Sequence, residues 1–367
     1  MRTAGCRVKA RKSPTHPLPS GAGDARAVLR IRNPESAIGI CNPPSAVGFR
    51  SPRSTIRAES AIRNPQSAIR PLLKWAGGKR QLLPQLRRFY PPTFRRYIEP
   101  FFGSGAVFFD LHGAGRLRDH DVVLIDSNAD LIGCYETVRD ASDQVARELD
   151  RLAAAHAQGG PAQYYVVRDT QFNPLRDELR RPDGRIAYTP ALAAMLIYLN
   201  RTGFNGLFRL NARGAFNVPV GRYERPNIAD KEKLLRVTAA LVNPRVRLVW
   251  GLFESVLEIA EAGDFIYLDP PYAPLSRTAN FTSYTAARFD RDDQVRLQQA
   301  VIALAQRGCH VVVSNSTADE IAALYESSRE ARAAGLRATR VAARRSINSN
   351  AQRRGVVDEF LITNVQP

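Results

Sequence analysis

From Pro71 onward the chain alternates between short, nearly unbroken apolar runs and longer stretches in which apolar positions recur every three or four residues. The runs VVLID at 122–126, DFIYLD at 264–269 and HVVVSN at 310–315 predict central strands of a mostly parallel sheet, buried on both faces. The longer stretches predict helices at 81–89, 105–113, 128–157, 190–200, 229–242 and 291–307. Strands alternating with helices give an α/β, doubly wound architecture. Between about 140 and 250 the pattern is less regular, and an insertion is expected there. Residues 1–70 are of another kind. They repeat a short phrase, IRNPESAI from Ile31, ICNPPSAV from Ile40 and IRNPQSAI from Ile62, and are rich in Pro, Ser and Arg. Such a segment cannot bury enough apolar surface to fold and is expected to be a disordered basic extension on which no catalysis depends.

Composition narrows the class. With 367 residues, 44% hydrophobic and 24% charged, the chain can build a sizeable core of ordinary soluble type. No run reaches the ~18 apolar residues of a membrane span, and the Arg-rich start has no apolar core of a secretion signal, so a cytoplasmic protein is expected. The formal charge of +18 points to a polyanionic partner. Residues 1–70 hold 13 Lys and Arg against Asp24, Glu35 and Glu59, a net +10, which leaves +8 for the folded part. Cys6, Cys41, Cys134 and Cys309 are scattered, as are His112, His120 and His310, so neither a disulfide framework nor a metal site is expected.

The chemistry concentrates at DPPY, Asp269 to Tyr272, where an apolar strand breaks at two prolines. Pro270 and Pro271 have no N–H and a fixed φ, so the ladder cannot continue and carbonyls are left for a ligand. Asp269 and the Pro270 carbonyl suit an exocyclic amine, and the Tyr272 ring suits a planar base. A strand ending in Pro-Pro is also simply a turn. Further upstream, YIEPFFGSGAVFFDL reads as strand, Gly-rich turn and helix start, with Gly103 and Gly105 allowing close backbone approach. About 20 residues on, Asp126 of LIDSN ends the second strand where a carboxylate can bind ribose hydroxyls, which points to an adenosine-bearing cofactor. In LLKWAGGKRQLL, Gly77 and Gly78 make a turn between Trp75 and Lys79; Arg80 stands where a phosphate-binding loop needs Ser or Thr, so this is no ATPase loop. From Tyr198 to Tyr223, Asn and Arg alternate with Phe and Tyr among recurrent glycines. That composition fits a loop and β-hairpin that reaches base edges, with an aromatic wedge at its tip. The basic loop RRSINSNAQRRG from Arg344 suits phosphate contacts.

Taken in order, WAGGK, EPFFGSGAVF, LIDSNADL, NRTGFNGLFRLNARGAFNVPVGRY, DPPYAPLSRTANFTSY and RRSINSN resemble the DNA adenine methylase family, N6-adenine methyltransferases that act on GATC. The likeness runs from Pro71 to the end; residues 1–70 fall outside it. It implies a Rossmann-like, S-adenosylmethionine-dependent catalytic domain at 71–140 and 250–367, with an inserted helical and β-hairpin DNA-recognition domain at 141–249. It further implies a cofactor site lined by Trp75, Lys79, Gly103, Gly105, Asp126 and Asp269, and a catalytic motif of Asp269, Pro270, Pro271 and Tyr272. Arg201, Phe204, Asn205 and Arg209 match DNA-reading positions. Phe204 stands where Tyr is common, which keeps a stacking face and loses a hydroxyl. The implied partner is double-stranded DNA, with no metal and no membrane; a cognate restriction endonuclease is an optional partner, and no pattern in the chain sets an oligomeric state. The mechanism implied is base flipping and in-line displacement, closed over by ANFTSY at 279–284. Two other readings share these motifs: methylation of an amine in cytosine N4 or RNA, and a DNA-binding protein that has lost catalysis.

Overall fold

A computed structural model describes residues 69–75, 77–273, 289–344 and 356–366, all within one unit, Ala58–Pro367. The repetitive stretch through residue 68, the ANFTSY segment and the RRSINSN loop beyond Arg344 lie outside the described residues. Seven strands, β1 Arg96–Glu99, β2 Asp121–Asp126, β3 Val246–Trp250, β4 Phe265–Leu268, β5 His310–Ser316, β6 Arg337–Arg344 and β7 Val356–Thr363, form one sheet. Their order is β3-β2-β1-β4-β5-β7-β6. The first five are parallel, and β7 is antiparallel to both β5 and β6. Six longer helices accompany them: α1 Ala106–Gly113, α2 Ala129–Tyr165, α3 Asn173–Glu178, α4 Pro190–Thr202, α5 Lys231–Leu241 and α6 Arg291–Gln306.

Alternation along the strands divides the core in two. Tyr97, Val122, Leu124, Phe265 and Tyr267 join one buried cluster, which α1, α2, α4 and α5 cover. Ile98, Val123, Ile125, Ile266 and Leu268 join the other, against α6. A sheet buried on both faces must be apolar at every position, which is why these runs are continuous in the sequence. The fold is therefore α/β, a Rossmann-like doubly wound sheet. Strand order runs outward from β1 in both directions, so a crevice opens beyond the carboxyl ends of β1 and β4, where ligands bind in such sheets.

Three expectations need correction. The helix at 81–89 is only one α-turn, Leu83–Leu86, between two 3₁₀ turns, because Pro84 can stand only at a helix start. The helix at 128–157 runs on to Tyr165, bent at Ala141 and again at Gly160–Pro161, where Gly160 takes φ +53° and the chain resumes its helical course. The last residues of the stretch expected as an insertion, Val246–Trp250, instead form an edge strand paired in register with β2. Arg247, exposed in the middle of this strand, interrupts the apolar run.

Candidate active site

Acidic side chains stand at the carboxyl ends of three adjacent strands: Glu99 closes β1, Asp126 closes β2 and Asp269 follows β4. Asp269 sits just beyond the last strand residue because the two prolines halt the ladder. Its Oδ1 receives the Lys79 ammonium at 2.7 Å and the Ser314 hydroxyl, from β5, at 3.0 Å. Among the described residues nothing bonds to Oδ2. Burial raises the Asp269 pKa, an effect that Lys79 and Ser314 oppose. The Pro271 carbonyl accepts from Gln294 Nε2 at 3.0 Å, whereas no described residue bonds to the Pro270 carbonyl. Tyr272 donates its hydroxyl to Glu359 Oε2 on β7 at 2.9 Å, and the Lys79 ammonium lies 4.4 Å from its ring centre. Ring and carboxylate are thus fixed by the same lysine.

The second cluster forms around Asp126. Its Oδ2 accepts from the Gly103 amide and its Oδ1 from the Asn128 amide, both at 2.8 Å. Burial pushes the carboxyl up to about 6, against the pull of those two amides. Gly103 has φ +49°, and a Cβ there would lie 3.2 Å from the Trp75 indole. Gly105 caps α1 at φ +72°, where a Cβ would lie 2.4 Å from the Phe102 ring. Trp75 in turn stacks on Phe208 at 5.6 Å between ring centres. Trp75, Gly103, Gly105 and Asp126 therefore lie together, while Lys79 belongs with Asp269.

The segment Tyr198–Tyr223 begins as the last turns of α4, and its remainder folds back as a narrow ribbon. Bridges join Gly203 to Val220 and Leu210 to Phe216, and the turn lies at Asn211–Gly214. Phe204 is 46% exposed, but it lies at the base of the ribbon beside the end of α4 and not at the tip. Asn205 follows at φ +54°, a left-handed conformation that Asn tolerates better than most residues. Arg209 is exposed and donates to the side chain of Asn217 at 2.8 Å. Arg201 is placed differently from the other three. It is 7% exposed, and its Nη1 donates to the carbonyls of Asn227 and Ile228 at 2.8 and 3.2 Å, so its guanidinium holds the backbone that follows Tyr223 instead of facing outward.

Four residues not singled out in the sequence complete the arrangement. Glu99, wholly buried, accepts from the Tyr97 hydroxyl at 2.8 Å, and burial together with the charges of Asp269 and Asp126 holds its pKa well above the carboxylate range. Its signal was an acid ending each of three strands. Ser314, a polar residue inside an apolar run, carried a similar signal. Glu359 did not, since only the antiparallel return of β7 brings it to Tyr272. Asn200 exchanges hydrogen bonds with the backbone of Lys74 at 2.8 Å in both directions and donates to the Gly206 carbonyl at 2.8 Å, which docks the ribbon on the loop that carries Trp75 and Lys79. Among the described residues no group of His, Cys, Asp or Glu is placed to hold a metal ion, Cys134 and Cys309 are free and buried, and no helix is long and apolar enough to cross a membrane.

Residues 75–346 match the model of the D12 class N6 adenine-specific DNA methyltransferases. The chain is 37% identical over 298 residues to the type II methyltransferase M1.LlaDCHI of Lactococcus lactis subsp. cremoris, covering 81% of this chain and 95% of that one. It is 38% identical over 310 residues to the type II methyltransferase M.MjaIII of Methanocaldococcus jannaschii, covering 81% and 99%. It is 34% identical over 292 residues to the DNA adenine methylase of Escherichia coli K12, covering 80% and 94%.

Proposed function

Because the chain belongs to the D12 class of N6 adenine-specific DNA methyltransferases, we propose that it methylates adenine N6 within GATC in double-stranded DNA, with S-adenosylmethionine as donor. The observation that carries the reading is the pair of acceptors at the end of β4 to which no described residue bonds, Asp269 Oδ2 and the Pro270 carbonyl, beside the ring of Tyr272. An exocyclic amine has two N–H groups, and two acceptors can hold both. Held so, its nitrogen lone pair is directed out of the base plane for attack, and positive charge that builds on N6 is stabilised by a carboxylate already in place. Lys79 and Ser314 fix that carboxylate through Oδ1 alone, and Glu359 fixes the ring. To reach this site the adenine must leave the duplex stack, and Tyr272 gives it a surface to stack on.

The residues fit the donor. Asp126 has about four lone-pair sites, of which the two amides use two, so hydroxyls of a ribose can take the others. The left-handed Gly103 leaves a backbone cradle against Trp75 that a side chain would fill, and the left-handed Gly105 lets the turn into α1 close against Phe102. S-adenosylmethionine supplies an electrophilic methyl group when bound. Trp75, Gly103, Gly105 and Asp126 would hold it, and Lys79 would position Asp269 alongside.

Phe204, Asn205 and Arg209 are proposed to read the DNA, with the recognition region spanning 141–245 and β3 returned to the catalytic sheet. GATC itself is favoured by the NRTGFNGLFRLNARGAFNVPVGRY match, and the type II relatives make the choice of site the point to test first. Tritiated methyl transfer to a GATC duplex is expected, with label as N6-methyladenine, and none to a duplex carrying GTTC paired with GAAC. Equal label in both would reject GATC. The Asp269→Ala variant is expected to bind DNA and transfer nothing, and turnover by it would reject the catalytic role of Asp269.

A further inference from the structure

Among the described residues, no strand lies beside the returning strand of the ribbon on its outer side. Residues 215, 217 and 219 turn their backbone groups inward, with Asn211 N–H donating to Ala215 O, Asn217 N–H to Arg209 O and Phe204 N–H to Pro219 O. The Gly214 carbonyl, both backbone groups of Phe216 and the Val218 carbonyl turn outward, as the alternation of extended chain directs. In a sheet those groups would meet the next strand. Here they meet side chains of a helix. Gly214 O accepts from Arg176 Nη1 at 2.7 Å, and Phe216 exchanges both its backbone bonds with the Asn173 amide, at 3.0 and 2.8 Å. Val218 O accepts from Arg168 Nη1 at 2.9 Å and from the Tyr164 hydroxyl at 2.8 Å.

That one helix face can reach three alternate residues depends on its winding. From Tyr164 to Asn173 is nine residues, about two and a half turns at the α-helical repeat, which would leave the two on opposite sides. The wider π-helical turns over Val166–Phe172 absorb the excess and return Asn173 to the side of Tyr164 and Arg168. The last rung is anchored elsewhere. Arg176 is 4% exposed and grips Asp130, in the first turn of α2, by two bonds of 2.6 and 2.7 Å, and Tyr188 also donates to Asp130 at 2.9 Å. Asp130 lies four residues beyond Asp126.

We propose that Asn173 and Arg176 are positioning residues for sequence choice: in place of a neighbouring strand they set the backbone register of 214–218, and the Arg176–Asp130 pair ties that register to the helix that follows Asp126. This rests on the reading that the ribbon contacts DNA. A polar contact displaced by about 1 Å loses most of its value, so a ribbon that reads base edges needs such support.

The experiment compares full-length Asn173→Asp, which keeps the volume and the acceptor for Phe216 N–H but sets a carboxylate oxygen where the donor to Phe216 O stood, with Arg168→Met, which leaves Tyr164 on Val218, and with Arg209→Ala. For each, kcat and KM are measured on the preferred duplex and on a single-pair variant of it, and binding of S-adenosylhomocysteine without DNA is measured by calorimetry. Asn173→Asp is expected to lose discrimination by about five- to tenfold, the size of one hydrogen bond, with cofactor-analogue affinity unchanged; Arg168→Met loses less. A merely structural defect would lower analogue binding and both duplex rates together. If Arg209→Ala loses discrimination while Asn173→Asp keeps it, the proposal is overturned and the ribbon still reads DNA. Should neither lose discrimination, the ribbon reading fails and takes the proposal with it. Should Asn173→Asp not fold, Arg168→Met decides by the same criterion.

Discussion

At Asp126 the burial of one carboxyl makes the stability of the fold depend on pH. That carboxyl is raised to about 6 from an ordinary 3.8, so between those values the folded protein holds a proton that the unfolded chain has released. The contribution of Asp126 to stability is therefore full below the lower value and is lost as pH rises through about 6. Asparagine at this position does not titrate. The melting temperature of the native protein minus that of Asp126→Asn is expected to fall between pH 4 and pH 6 and to level off above pH 7. A flat difference across that range, by scanning calorimetry, would show that the carboxyl is not held neutral in the fold. The placement of Asp126, Asp269 and Tyr272 at strand ends was legible because each follows an apolar run in the sequence. The burial of Arg201 was not legible, since a basic residue in a basic, aromatic stretch looks the same whether it faces solvent or donates to carbonyls from inside.

At the scale of elements, the turn from β1 into α1 is the most constrained. Gly105 must hold a left-handed φ of +72° with no room for a methyl group beside Phe102 and Phe109, whereas Gly113 at the other end of α1 has open space around it. Gly105→Ala is expected to cost about 1–3 kcal/mol or more in chemical denaturation and to weaken S-adenosylhomocysteine binding, with Gly113→Ala close to neutral. Equal stability of the two variants would place the strain elsewhere. Strands β2, β4 and β5 were evident from apolar runs that burial on two faces imposes. The π-helical turns were not, because nothing in VVRDTQF departs from an ordinary helical pattern and only the ribbon beside it selects the wider winding.

At the scale of the molecule, the charge divides unevenly. Residues 1–68 carry twelve Lys and Arg against three acids, yet the family match begins at residue 75 and the buried core at Leu72, with Ile69 packed against it. Removal of residues 1–68 is expected to leave the rate of methyl transfer and the choice of site unchanged, while DNA affinity becomes less dependent on salt as phosphate contacts are lost. Steady-state kinetics across a salt series would check it, and a collapse of turnover at low salt would show that this segment takes part in the reaction.

Local residue chemistry was enough to determine the α/β architecture, the acids at the strand ends and the break at Pro270–Pro271, because each follows from burial or backbone geometry within a few residues. Its motifs also determined the family. Tertiary structure alone decided which groups are engaged: that Lys79 holds Asp269 through Oδ1, that Glu359 reaches Tyr272 through an antiparallel strand 87 residues away, and that a helix stands in for a strand beside the ribbon. These depend on distances between segments far apart in the chain, and no local pattern encodes them.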